Sequence, residues 1–184
     1  MNKLRWWLLR RRLRSIELLV LDVDGVLTDG SILIDHQGME LKRFFVRDGI
    51  GLRVWMKLGL QVAIITGRKG PALERRMAEL GIDTIYSGVS DKSEAFSDLL
   101  EKTGVDAGEV AMVGDDLPDL PILRRCGYAV AVNDGVQEVR DVARFVTQAD
   151  GGQGAVREVI EHLLRAKGRW EEAVAIYDIK SEAR

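Results

Sequence analysis

Two aspartates stand one residue apart at the end of an apolar run, in Leu19-Val20-Leu21-Asp22-Val23-Asp24-Gly25. The pattern reads as a buried strand delivering two carboxylates into a tight turn. Burying one carboxylate costs several kcal/mol unless something compensates, and two close together also repel. A bound divalent cation is the simplest compensation, so the pair points to a metal site and to carboxylate chemistry.

Three further groups of this kind follow. Thr66-Gly67-Arg68 comes directly after the apolar run Val62 to Ile65, where a hydroxyl and a guanidinium suit phosphate oxygens. Lys92 stands at an expected helix start after Tyr86-Ser87-Gly88, and its ammonium there favours an anion. Gly114-Asp115-Asp116-Leu117-Pro118-Asp119 comes after Val110 to Val113 and offers three more carboxylates to an oxygen-preferring cation. Each group alone reads more simply as turn, capping or surface chemistry. Their joint appearance in this order, each at a strand end, argues for one site.

The elements that would position them alternate. Strands are expected at 17–22, 61–65, 83–86, 109–113, 127–131 and, more weakly, 144–147. Helices are expected at 49–58, 71–80, 91–103, 118–125, 136–142 and 154–167. Continuous apolar runs such as Val62-Ala63-Ile64-Ile65 suit strands buried on both faces of a parallel sheet. The fold class is therefore α/β, a Rossmann-like doubly wound parallel sheet whose ligands sit beyond the carboxyl ends of the strands. Residues 30–46 break the alternation. Ile32 to Ile34 and Leu41 to Val46 flank Asp35-His36-Gln37-Gly38 and read as an inserted β-hairpin. Gly151, Gly152 and Gly154 mark a flexible turn, and residues 168–184 read as a tail with no clear helix-to-core pattern.

The 184 residues, 46% hydrophobic and 30% charged, suit one globular domain spanning 1–184. A net charge of -2 gives no general pull toward nucleic acid or anionic membrane. Cys126 is the single cysteine, which excludes an intramolecular disulfide and suits a cytoplasmic setting. Residues 1–15 read as a basic N-terminal helix, with Lys3, Arg5, Arg10, Arg11, Arg12 and Arg14 around Trp6, Trp7 and several leucines. An exposed helix packing its Trp/Leu side on the domain is favoured there over membrane contact.

The four groups in this order resemble the signature motifs of the haloacid dehalogenase (HAD) superfamily of phosphoryl-transfer enzymes. The resemblance implies Asp22 as nucleophile and Asp24 as general acid and base, with Thr66 and Lys92 on the phosphoryl oxygens. It implies Mg²⁺ held by Asp22, the backbone carbonyl of Asp24, and Asp115, with Gly67, Asp116 and Asp119 in supporting positions. The stretches between motifs hold only the hairpin and single helices, so no cap domain is expected. Enclosure would come from a homo-oligomer, with hairpin and tail as its interface elements.

Longer stretches are similar to the capless subfamily acting on 3-deoxy-D-manno-octulosonate (KDO) 8-phosphate. They are Asp22 to Gly30, Val46-Arg47-Asp48-Gly49, Ile64 to Arg68, Gly114 to Asp119, and Gly151 to Glu158. That similarity implies a homotetramer, an acidic sugar phosphate substrate, and substrate contacts from Phe45, Val46, Arg47, Asp48, Gly49, Arg53, Arg68, Arg76 and Lys92 beside Asp24. Arg68 and Arg76 would share one helical face if the helix began near Pro71. The chain departs from the subfamily at Phe45, often Asn, and at Gln153, often Arg. Two alternatives remain at this point. One is a nine-carbon keto acid sugar 9-phosphate of the sialic acid type, against which Arg68 stands. The other is a noncatalytic oligomerisation module, against which the intact motifs stand.

Overall fold

The computed structural model describes residues 12–178. Six parallel strands form one sheet in the order β5-β4-β1-β6-β7-β8. They are β1 (Leu18–Leu21), β4 (Gln61–Thr66), β5 (Ile85–Ser87), β6 (Val110–Gly114), β7 (Tyr128–Ala131) and β8 (Phe145–Val146). A two-stranded antiparallel ribbon, β2 (Leu33–Ile34) and β3 (Glu40–Leu41), follows β1. The helices are α1 (Val46–Lys57), α2 (Pro71–Leu80), α3 (Lys92–Thr103), α4 (Leu120–Leu123), α5 (Gln137–Val142), α6 (Ala155–Lys167) and α7 (Trp170–Ala175). Among the described residues no separate cap domain accompanies this sheet.

Strand periodicity divides the apolar residues between two cores. Leu19, Leu21 and Ile64 face Leu52 and Trp55 of α1, Leu73 and Met77 of α2, and Val159 and Leu163 of α6. Leu18, Val20, Ala63 and Ile65 face Phe96 and Leu99 of α3, Ile122 of α4 and Val139 of α5. Both faces of β1 are thus covered, which is why Leu18 to Leu21 reads as an unbroken apolar run. Trp55 is fully buried, and its indole N–H donates to the carbonyl of Gln61 at 2.8 Å, so the largest core side chain buries no unpaired polar atom.

Several expectations are corrected in detail. The second arm of the hairpin does not run to Val46: pairing ends at Leu41, and Val46 opens α1. The expected helix at 118–125 is a short 3-10 turn, Leu117–Asp119, followed by the single turn of α4, as its two prolines dictate. Gly151 and Gly152 form no loose turn, because their backbone packs on the loop after β1. A Cβ on Gly151 would overlap the carbonyl of Gly25, and the Gly152 N–H donates to Val26 at 3.0 Å.

The tail contains a further helix, α7, whose Ala173 is buried and whose Trp170 ring is faced by the guanidinium groups of Arg157 and Arg165. Six residues are too few to fold alone, so tertiary contact holds this helix. Most of the basic N-terminal segment lies outside the described residues. Its described end is tied to α6, since Lys167 Nζ donates to the Arg14 carbonyl at 2.8 Å.

Candidate active site

Asp22 follows β1, and its N–H is held by the Val113 carbonyl at 3.2 Å. Gly25 then turns the chain at a φ of +91°, a region that favours glycine, and a Cβ there would overlap the Asp115 carboxylate. The loop after β1 and the loop after β6 are therefore pressed together. Thr28 Oγ1 closes the first loop, donating to the Val23 carbonyl at 3.3 Å and accepting from the N–H groups of Gly25 and Gly30.

The second loop is set by a reciprocal cap. Asp119 Oδ2 accepts from the N–H groups of Asp115 at 3.0 Å and Asp116 at 3.5 Å, while Asp116 accepts from the Leu117 N–H. The motif is thus a cap, and the same turn brings Asp115 beside Asp22. One carboxylate oxygen from each of Asp22, Asp115 and Asp119 lies within 4.8 Å of the other two.

Lys92 enters from the opposite core. Asp91 caps α3, accepting from Ser93 N at 2.7 Å and Glu94 N at 3.4 Å, and this fixes Lys92 in the first turn. Its Nζ donates to Asp119 Oδ1 at 2.7 Å and lies 3.0 Å from Asp22 Oδ1, there as an ion pair without hydrogen-bond alignment. Burial pulls the Lys92 ammonium down, but Asp22 and Asp119 outweigh it and hold the group above its ordinary range.

The carboxylates show the opposite imbalance. Burial, then the nearby Asp22 and Asp119 charges, push Asp115 up to about 8. Burial and Asp119 raise Asp22 as well, against the pull of Lys92. Asp22 Oδ1 and Asp115 Oδ1 are buried without a hydrogen-bond partner. Lys92 and two amides already engage Asp119, so the oxygens left for a cation are those of Asp22 and Asp115. A hard divalent ion fits this donor set.

Thr66 is buried at the end of β4, and its Oγ1 accepts from the Arg68 N–H at 3.4 Å, with Gly67 making the turn between them. Arg68 does not share a helical face with Arg76, because it precedes α2. Its guanidinium instead reaches Glu40 at 2.6 Å and stands 3.9 Å from Asp24 Oδ2. Arg53 and Arg76 both meet Glu79. Arg53 donates to the Glu79 carbonyl at 2.6 Å, and Arg76 pairs with the Glu79 carboxylate at 2.8 Å.

The segment at the start of α1 is split. Phe45 packs against Gly154, Val46 and Arg47 are exposed, and Gly49 is buried under the Arg76 guanidinium. Asp48 is buried and accepts the Arg157 N–H at 2.7 Å, holding the N-terminus of α6. Burial pushes its carboxyl up to about 6.

Two residues were not read from the sequence. Lys42 pairs with Asp24 Oδ1 and, at 3.0 Å, with Glu40, and Glu40 joins Lys42 to Arg68. The available signal was the alternation Met39-Glu40-Leu41-Lys42 in an arm returning toward the aspartate turn.

Comparison with known proteins decides the family. The KDO 8-phosphate phosphatase KdsC of Escherichia coli strain K12 is 51% identical over 159 residues, 86% of this chain and 85% of its own. The chain belongs to the KDO 8-phosphate phosphatase family. Within it, residues 82–160 also match the broader haloacid dehalogenase-like hydrolase family. The KdsC of Haemophilus influenzae is 40% identical over 88% of this chain and 89% of its own. The crystal structure of the Moraxella catarrhalis family member, in complex with magnesium, phosphate and KDO, superimposes with a TM-score of 0.89. It is 40% identical and covers 92% of this chain and 97% of its own. The cobalt-bound Haemophilus influenzae phosphatase gives a TM-score of 0.83 at 41% identity, covering 85% and 92%. The family is one of phosphomonoester hydrolases.

Proposed function

We propose that this chain hydrolyses KDO 8-phosphate to KDO and phosphate through a phosphoaspartate on Asp22. The observation that carries the reading is the largely buried Asp22–Asp115–Asp119 cluster, its Asp115 partly open, with Lys92 set into it at the strand ends of this fold. Asp22, the Asp24 backbone carbonyl and Asp115 would hold Mg²⁺, which when bound neutralises carboxylate and phosphoryl charge.

In the first step an Asp22 carboxylate oxygen attacks phosphorus and the bond to the sugar oxygen breaks. Asp24 gives that leaving oxygen its proton. In the second step Asp24 takes a proton from water as the water oxygen attacks phosphorus. The aspartyl–phosphate bond breaks, and phosphate leaves with Asp22 restored. Thr66 Oγ1 and Lys92 Nζ donate to the transferring oxygens, and Arg68 stands beside Asp24, where the acidic sugar would lie.

Residues 1–184 are read as a single phosphatase domain working as a homotetramer in the cytoplasm. Ile32, Leu33, Ile34, Met39 and Leu41 are all more than half exposed on the hairpin, which supports its burial between subunits. Among the described residues no helix is long and apolar enough to cross a membrane.

The test is phosphate release from a panel of sugar phosphates, with Mg²⁺ or EDTA, for wild type and Asp22→Asn. KDO 8-phosphate is expected to be preferred, and both EDTA and the substitution are expected to abolish turnover. Turnover surviving either would overturn the mechanism, and preference for a nine-carbon acid or a neutral hexose phosphate would overturn the substrate.

A further inference from the structure

The two oxygens of Asp24 have different surroundings. Oδ1 is taken by Lys42, whose side chain is 4% exposed. Oδ2 is buried without a hydrogen-bond partner, and Arg68 Nε stands 3.9 Å away. Lys42 is itself fixed on its far side by Glu40 at 3.0 Å, and Glu40 by Arg68 at 2.6 Å. Strand alternation puts Glu40 and Lys42 on one side of the hairpin arm and leaves Met39 and Leu41 exposed.

From this geometry we infer that Lys42 is a positioning residue for proton transfer. It clamps Oδ1 of Asp24, so that Oδ2, which has no hydrogen-bond partner, is the oxygen left to exchange protons with the leaving group and the attacking water. A carboxylate held at one oxygen has one rotamer and one free oxygen, whereas an unheld one divides its time among several. The hairpin thereby contributes directly to the chemistry. This inference rests on the phosphatase reading and on Asp24 as the proton carrier.

The test separates proton transfer from phosphoryl transfer by the leaving group. Expulsion of a sugar alkoxide needs a proton from Asp24, whereas expulsion of p-nitrophenolate does not. The value of kcat/KM reports only steps through the first phosphoryl transfer. Lys42→Met is expected to lower kcat/KM for KDO 8-phosphate by about 10–100-fold, part of the 10²–10⁴ that acid–base catalysis supplies. With p-nitrophenyl phosphate kcat/KM should change several-fold less, and Lys42→Arg should restore most of the sugar phosphate activity.

Equal losses on both substrates, with unchanged thermal melting, would overturn the positioning role and leave the phosphatase reading standing. Wild type releasing no phosphate from either substrate would overturn the phosphatase reading itself. Should Lys42→Met fail to fold, Lys42→Gln and Lys42→Arg carry the same comparison. No selective loss on the sugar phosphate in Lys42→Gln would then sink the inference.

Discussion

Replacing Asp115 by Asn should stabilise the protein without metal and remove its response to metal. The folded Asp115 carboxyl is pushed from 3.8 to about 8 by burial and by the charges of Asp22 and Asp119. The sign follows from linkage. Below about pH 4 the carboxyl is protonated in both states and costs nothing. Between about 4 and 8 only the unfolded chain loses the proton, so stability falls as pH rises, and above 8 the full penalty is present. At 1.36 kcal/mol per pH unit the shift corresponds to at most ~6 kcal/mol. Hydration of the half-open loop and relaxation of the carboxylates take up much of this, leaving about 1–2 kcal/mol.

For a chain of this size that is a rise in Tm of about 2–8 °C for Asp115→Asn over wild type in EDTA at pH 9. The difference should vanish near pH 4. With Mg²⁺ at about 100 times its Kd, wild type should gain ~2.7 kcal/mol and overtake the variant, which should gain little. The assay is thermal unfolding at pH 4, 7 and 9 in EDTA and in Mg²⁺. An Asp115→Asn protein less stable than wild type in EDTA at pH 9, or equally stabilised by Mg²⁺, would refute the reasoning.

Gly151→Ala should lower both Tm and kcat by about ten-fold or more in rate, because the new methyl must displace the Gly25 carbonyl beside Asp24; near wild-type kinetics would show that the aspartate turn does not depend on this contact. Asp48→Ala removes the acceptor of the Arg157 N–H at the start of α6 and should cost about 1–2 kcal/mol, with KM unchanged. A raised KM at unchanged Tm would instead make Asp48 a substrate ligand. Burial pushes the Cys126 thiol up to about 11, so native protein at pH 8 should react with a thiol reagent far more slowly than urea-unfolded protein. Equal rates would contradict that burial.

The strand-end motifs were legible because type and spacing together carry them. A run buried on both faces can end in carboxylates only where something receives the charge, and four such ends in one parallel sheet converge. Helix α3 was legible as the element after Tyr86-Ser87-Gly88, and its Asp91 cap came from the structure. What escaped were contacts decided by long-range docking. Lys42 meets Asp24 only because the hairpin folds back over the turn, a docking that the alternation in its arm does not fix. Nothing near Arg53 and Arg76 in the sequence says that both meet Glu79. Helix α7 has no room for an amphipathic pattern and exists through Trp170 and Ala173 on a surface made elsewhere.

The cations of the site form two sets, with consequences for how the chemistry is divided. Lys92 comes from a core helix and serves Asp22 and Asp119, both buried. Lys42 and Arg68 come from the hairpin and the loop after β4, and serve Asp24 and Glu40, both partly open. On the proposed mechanism the first set would lie where phosphorus is attacked, a step common to every phosphate ester, and the second would lie on the leaving-group side, where one ester differs from another. Rigid packing of the first set keeps the attack geometry constant, and the exposed ribbon that carries Lys42 can vary without disturbing it. Discrimination between sugars should therefore respond to changes in Glu40, Lys42 and Arg68, and changes around Lys92 should slow all substrates together.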